Sequence, residues 1–461
     1  KIKMADVNIS YADSLKSMFD GCYRMNTAQI KIDVAKGSAE NMFYRCSNLE
    51  SVDLKEFDTT YITNMSSMFQ SCSKLKNINV SHFNTQNTVY MANMFMECRS
   101  LTSIDVSGFD TENVIDMGSM FASCSNLVSI DISNFDTRNV KYMTGMFSMC
   151  EALAHIDVSN FNTKNVISMG WMFSECSNLI SIDVSGFDTG SVTGMEYMFR
   201  NCQSLNNIDV SGFNTCNVKN IMGMFLGCSS LENIDVSGFD TNNVENMGSM
   251  FRGCKRLKSI DVGGFHTSKV TEMNHMFSEC SNLENIDMQG FDTENVTYME
   301  NMFDGCESLT NIDVHNFQTQ NVIDMNSMFR NCNKLKILNL TSFDTSNVTD
   351  MNSMFKGCRS LINLTLGDFD TQNVRTMQEM FSGCYSLKFL DVSCFNTAKV
   401  KSMRSMFSGC HSLINIDVSN FDIKNVEYTD YMFTGCTNIQ SIKVFPNLSS
   451  EIDLPISPMY D

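Results

Sequence analysis

Tryptophan and proline are almost absent from this 461-residue chain, which holds one Trp and three Pro. All three prolines, Pro446, Pro455 and Pro458, fall within the last sixteen residues, so nothing earlier removes a backbone N–H from a pairing ladder. No apolar run reaches the roughly 18 residues that a membrane-crossing helix needs. Basic residues are in deficit, 33 Lys+Arg against 52 Asp+Glu for a net charge of −19. That balance excludes nucleic acid and anionic membrane surfaces as main partners, because no cationic excess exists to neutralise phosphates. No CxxC, GxSxG, HExxH, phosphate loop or GxGxxG before a helix occurs, and the six histidines recur in no common register. The chain is therefore expected not to be an enzyme and to carry no cofactor. It opens at Lys1 without an initiator Met or an apolar leader, as expected of a mature or trimmed fragment.

What is abundant is narrow: 37 Met, 34 Phe and 19 Cys. The pair Met-Phe recurs every 26 residues from Met42-Phe43 to Met432-Phe433, with one earlier, offset copy at Met18-Phe19. Each pair is followed three residues later by Cys, from Cys22 to Cys436, leaving only Cys216 and Cys394 outside the column. One small unit is thus copied many times, and missing that would miscall the fold.

In the unit Met94 to Ser119, Ile104 and Val106 alternate with Ser103, Asp105 and Ser107, which predicts a short strand with one buried face. Val114, Met117, Met120, Phe121 and Cys124 fall at steps of 0, 3, 6, 7 and 10, which predicts a short helix. Asp110 and Thr111 before it are N-cap types. Neither element buries its apolar face alone, so neighbouring coils must stack. The fold class expected is an α/β solenoid of about sixteen coils, a leucine-rich-repeat-like horseshoe with a parallel concave sheet and short convex helices. Residues 1–41 are expected to form an irregular N-terminal coil or cap, 42–444 the 26-residue-repeat solenoid, and 445–461 a C-terminal cap or junction.

The pattern L-x-x-I-D-V-S-x-F-D-T-x-N-V-x-x-M-x-x-M-F-x-x-C, as in Leu127 to Cys150, resembles the BspA-type leucine-rich-repeat surface proteins of mycoplasmas, lactic acid bacteria and some protists. The resemblance covers nearly the whole chain and implies a horseshoe exported to the cell surface, involved in adhesion or of unknown function. It supplies no active site.

The Cys column reads as small buried side chains, since stacked Cβ atoms point the same way and cannot easily bridge. The Phe and Met columns read as core, and Trp171 as an exposed or half-exposed helix residue. Thr fills the Thr111 column in fourteen of fifteen units, Ile423 being the exception, as expected of a cap. Asn113-type residues fit either capping or a ladder between coils.

The functional expectation rests on the outward strand face. Asp occupies its middle position in nine consecutive units, Asp105, Asp131, Asp157, Asp183, Asp209, Asp235, Asp261, Asp287 and Asp313. Stacked like charges oppose sheet formation by a few tenths to about 1 kcal/mol per pair, so a core has no need of them. Two roles are open: a solvated face that deters aggregation, or a ligand face for a basic or hydroxyl-rich partner. Carboxylates beside Ser hydroxyls also allow weak Ca²⁺ binding. Between Leu338 and Phe389 the acidic pattern gives way to Ile337, Asn339, Thr365 and Phe389, a candidate local docking patch. The expected function is a non-catalytic, surface or secreted recognition solenoid that binds a protein or glycan through the acidic concave face. The alternative is a structural homopolymer assembled by stacking solenoids end to end or side by side.

Overall fold

The computed structural model describes residues 7–444. It divides into two compact units, Lys1–Phe239 and Asp240–Asp461, each treated by itself below. The cap expected over 445–461 lies outside the described residues.

Unit 1 opens with six strands: β1 (Val7–Ile9), β2 (Thr27–Ile32), β3 (Lys36–Ser38), β4 (Ser51–Phe57), β5 (Tyr61–Asn64) and β6 (Asn77–Ile78). All pairings are parallel, in the orders β1-β2-β4-β6 and β3-β5. Beyond β6 the alternation read from sequence persists as burial, with Ile104 and Val106 inside and Ser103, Asp105 and Ser107 outside. Pairing there thins to a single bridge, Asn79 to Asp105. A second parallel ladder advances one residue per coil through Asn64, Tyr90, Asp116, Tyr142, Ser168, Gly194 and Asn220.

Unit 2 pairs β7 (Ser259–Asp261) with β8 (Asn285–Asp287), β9 (Ile337–Asn339) with β10 (Asn363–Thr365), and β11 (Asn415–Asp417) with β12 (Ser441–Lys443), all parallel. Its own one-residue ladder runs from Asn246 through Glu272, Tyr298, Asp324, Asp350, Thr376 and Ser402 to Tyr428.

The expected short helices are absent from the described residues, which contain no helix at all. Alternate amides explain why. The N–H groups of Met120, Ala122 and Cys124 close tight turns onto Met117, Ser119 and Phe121, three residues back, at 3.1–3.2 Å. The N–H groups between them, on Met117, Ser119, Phe121 and Ser123, donate instead to Tyr142, Thr144, Met146 and Ser148 of the next coil at 2.6–3.0 Å. Ser119 and Ser123 hold φ at 52° and 60°, the left-handed region that a helix cannot contain and that the third residue of a type II turn requires. The apolar stripe is therefore a run of turns whose spare amides stitch coil to coil. The N-cap role expected for Asp110 and Thr111 falls with the helix, and Trp171, half-buried at φ 62°, belongs to a turn as well.

Two phenylalanine columns fill the core between strand and turns. In unit 1 the Phe121-type rings stack nearly parallel from Phe19 to Phe225 at 5.2–5.9 Å between centroids. In unit 2 they do so from Phe251 to Phe433 at 5.4–6.0 Å. The Phe109-type rings from Phe83 on stack at 6.3–6.5 Å, as in Phe109 on Phe135 and Phe291 on Phe317, while Phe57 meets Phe83 edge-on at 5.7 Å. Such repetition gives every interior coil the same buried neighbours, the basis of repeat-protein stability.

The remaining columns are polar links between coils. Each core cysteine is a free thiol, and Cys124 donates through Sγ to the carbonyl of Phe95 at 3.2 Å, 29 residues earlier. Burial pushes its thiol up to about 12. Asn113 donates from Nδ2 to the carbonyl of Gln86 at 2.8 Å, and Asn139, Asn165, Asn321 and Asn347 repeat this, so the column is a ladder between coils.

Candidate ligand-binding face

Every expected site carboxylate is exposed, and each is held by its own backbone. Oδ1 of Asp105 accepts the N–H of Ser107 at 3.0 Å and its hydroxyl at 2.6 Å. Asp183, Asp209 and Asp235 repeat both bonds with Ser185, Ser211 and Ser237. Asp131 and Asp157 accept the N–H of Ser133 and Ser159 at 3.0 Å. This is an Asx turn, in which a short side chain closes a loop onto the amide two residues on. The serine hydroxyl, then the serine N–H, hold all six carboxyls below the usual carboxylate range. The row in unit 1 is therefore anionic at neutral pH, one charge per coil.

In unit 2, Asp261 and Asp287 are direct partners in the β7–β8 register, and each accepts the N–H two residues on, from Gly263 and Gln289. Asp313 accepts the N–H of His315 at 3.1 Å and meets its Nδ1 at 2.7 Å, bonds that lower its carboxyl. These three aspartates and His315 line an open depression of about 490 Å³ with Ser259 and Asn285. No group of three or more His, Cys, Asp or Glu side chains among the described residues is placed to hold a metal ion.

The Asx turn explains an Asx residue at this position but not its charge. Asn79 closes the same turn onto Ser81 at 3.2 Å, and Asn339 onto Thr341 at 3.1 Å. An amide oxygen suffices for the fold, and unit 1 nevertheless places a carboxylate in six coils running. The apolar residues of the patch read from sequence are exposed, Ile337 at 61% and Phe389 at 65%, and the structure adds Ile362 at 46%.

The repeat places the chain in a family by sequence similarity. Residues 37–157, 143–260, 249–339 and 332–445 each match the family described as "Mycoplasma protein of unknown function, DUF285". The chain belongs to the DUF285 family. No curated protein matches it. Among solved structures, it is similar to a leucine-rich repeat protein from Bacteroides ovatus, at 16% identity and a TM-score of 0.42 over 92% of this chain and 91% of that one. One from Eubacterium ventriosum shows 16% identity and a TM-score of 0.37 over 96% and 91%. A leucine rich cell surface protein from Faecalibacterium prausnitzii shows 16% identity and a TM-score of 0.29 over 96% and 84%.

One feature of this chain escaped the sequence pattern. On the turn side of unit 2, Glu300, Asp324 and Asp350 are half-buried, and desolvation raises all three carboxyls above the usual range. Asp324 and Asp350 pair directly across neighbouring coils. The available signal was an Asp followed two residues later by Asn, as in Asp324-Met-Asn326 and Asp350-Met-Asn352, the spacing of a second Asx turn.

Proposed function

We propose that this DUF285 chain is a non-catalytic recognition solenoid, displayed at the cell surface or secreted, that binds a protein or glycan through its rows of exposed aspartates. The observation that carries this is the dispensability of charge for the turn: Asn79 does structurally what Asp105 does. Six like charges stacked coil on coil repel one another, a cost that each carboxylate's serine hydrogen bonds offset and that an Asn would not incur. Their retention is accounted for by an external partner that meets them with cationic or hydroxyl-rich groups. The resemblance to BspA-type surface proteins supports the same reading.

The test is an array of extracellular matrix proteins and glycans probed with the full chain at low and high salt. Binding to basic or hydroxyl-rich members that weakens as salt is raised is the expected result, because screening shortens the reach of exposed charges. Absence of binding at every salt concentration contradicts the proposal.

A further inference from the structure

Unit 2 interrupts its aspartate row at two adjacent coils, where Asn339 and Thr365 lie opposite each other in the β9–β10 register. Apolar side chains come to the surface at the same place. Ile337 lies opposite Asn363, and Ile337, Ile362 and Phe389 are all exposed around an open depression of about 680 Å³. The strand position of Ile337 is occupied two coils on by Phe389, and in the other coils of this unit by Ser259, Asn285, Asn311, Asn363, Asn415 or Ser441. An exposed apolar cluster on an otherwise polar face is the mark of a contact surface.

The charges around it differ on its two sides. Lys336 and Lys388 immediately precede Ile337 and Phe389 and are exposed. On the opposite side run the carboxylates, but two of these already have partners in the chain: Asp313 holds His315 at 2.7 Å, and Asp417 holds Lys443 Nζ at 2.9 Å. Asp391, exposed and two residues beyond Phe389, accepts the N–H of Ser393 and meets no such cation among the described residues. The patch thus offers an apolar centre with lysines on one side and an uncompensated carboxylate on the other.

We propose that this patch docks an extended polypeptide segment of another protein, whose apolar side chains cover Ile337, Ile362 and Phe389, with an acidic residue toward Lys336 and Lys388 and a basic residue toward Asp391. A neutral glycan has no use for either charge, and an acidic glycan meets Asp391 unfavourably. A polypeptide supplies all three kinds of group within a few residues. The proposal rests on the recognition function above and names a partner class for one part of it.

The test is selection from a random 12-residue phage-displayed library on the full chain, followed by titration of the selected peptides in synthetic form. The titrations use the wild type, the Ile337→Ser/Phe389→Ser variant and the Lys388→Gln/Asp391→Asn variant, each checked by thermal melting. Phe389→Ala alone replaces the first variant if its melting point falls. The expected peptides carry aliphatic or aromatic residues between acidic and basic ones, and lose about tenfold or more in affinity to either variant. Peptides that bind both variants like the wild type overturn the proposal. If those peptides fail instead on a chain with Asp105 to Asp235 changed to Asn, the recognition function stands and this site falls. Phe389-dependent binding to neutral glycans, or a dimer that the Ser variant abolishes in sedimentation, also overturns it. Failure of the library and of the protein and glycan array together removes the recognition function as well.

Discussion

Thr111 grips both backbone groups of Asp136 in the next coil. Its Oγ1 accepts the Asp136 N–H at 2.7 Å and donates to the Asp136 carbonyl at 2.9 Å, while the Thr111 side chain is buried. One hydroxyl thereby replaces a pair of ladder hydrogen bonds at a point where the two backbones do not pair. Thr137, Thr267, Thr293, Thr371 and Thr397 do the same for the residue 25 positions on.

Thr111→Val keeps the shape and leaves the amide and carbonyl of Asp136 without a partner. A loss of about 1–3 kcal/mol is expected, read as a lower midpoint in urea. Thr111→Ser, which retains the hydroxyl, should recover most of it. Equal stability of wild type and Val variant contradicts the role.

The turns in place of helices give a second expectation. Ser405 holds φ at 55°, so Ser405→Gly removes left-handed strain and should raise stability by up to about 1 kcal/mol after the flexibility cost of Gly, read as a higher melting point. Gly305 has φ 75°, and Gly305→Ala should cost about 1–2 kcal/mol. A helix at these positions would reverse both signs.

Thiol chemistry should separate the cysteines sharply. Cys22 and Cys394 are exposed and Cys216 partly so, while the other sixteen are buried. DTNB should therefore label three thiols in the native protein and all nineteen after denaturation. Rapid native labelling of more than three contradicts the burial of the column.

The carboxylates of the two faces should respond to acid in opposite ways. Glu300, Asp324 and Asp350 have raised folded values, so their protonation favours the fold; unit 2 should gain stability as the pH falls from neutral through those values toward about 4. The exposed row of unit 1 has lowered values, so its contribution is present above about 4 and lost as the pH falls through the lower folded values. Burial lowers His275, which opposes the gain in unit 2 below about pH 6.5. Asp324→Asn isolates the carboxylate term: it keeps the oxygen that accepts the Asn326 N–H at 2.8 Å and should raise the melting point at pH 7 but not at pH 4.

Much of this architecture was legible because a strand's alternation is local: Ile104 and Val106 point inward in a pattern that six residues disclose. The helix was misread because consecutive turns bury residues at steps of 0, 3, 6, 7 and 10 as well as a helix does. The discriminating signal was Gly immediately before Cys, at Gly227, Gly253, Gly305, Gly357, Gly383, Gly409 and Gly435, all with positive φ. The Thr column was visible but its role was not, since its partner lies a full coil away. For Asp105 the charge was visible, whereas the turn onto Ser107 depends on backbone geometry that composition does not disclose. Once that turn is seen, charge and structure separate, and Asn79 shows the structural part alone.

That separation supplies the most direct test. A chain with Asp105, Asp131, Asp157, Asp183, Asp209 and Asp235 all changed to Asn keeps every side-chain oxygen that closes a turn and loses the six charges of unit 1. Its thermal melting and its binding to the matrix-protein and glycan array should be measured beside the wild type. A melting point within a few degrees of wild type together with loss of array binding is the predicted result. An unfolded or strongly destabilised variant, or a folded one that binds as the wild type does, would contradict the claim that a partner requires the charge and the fold does not.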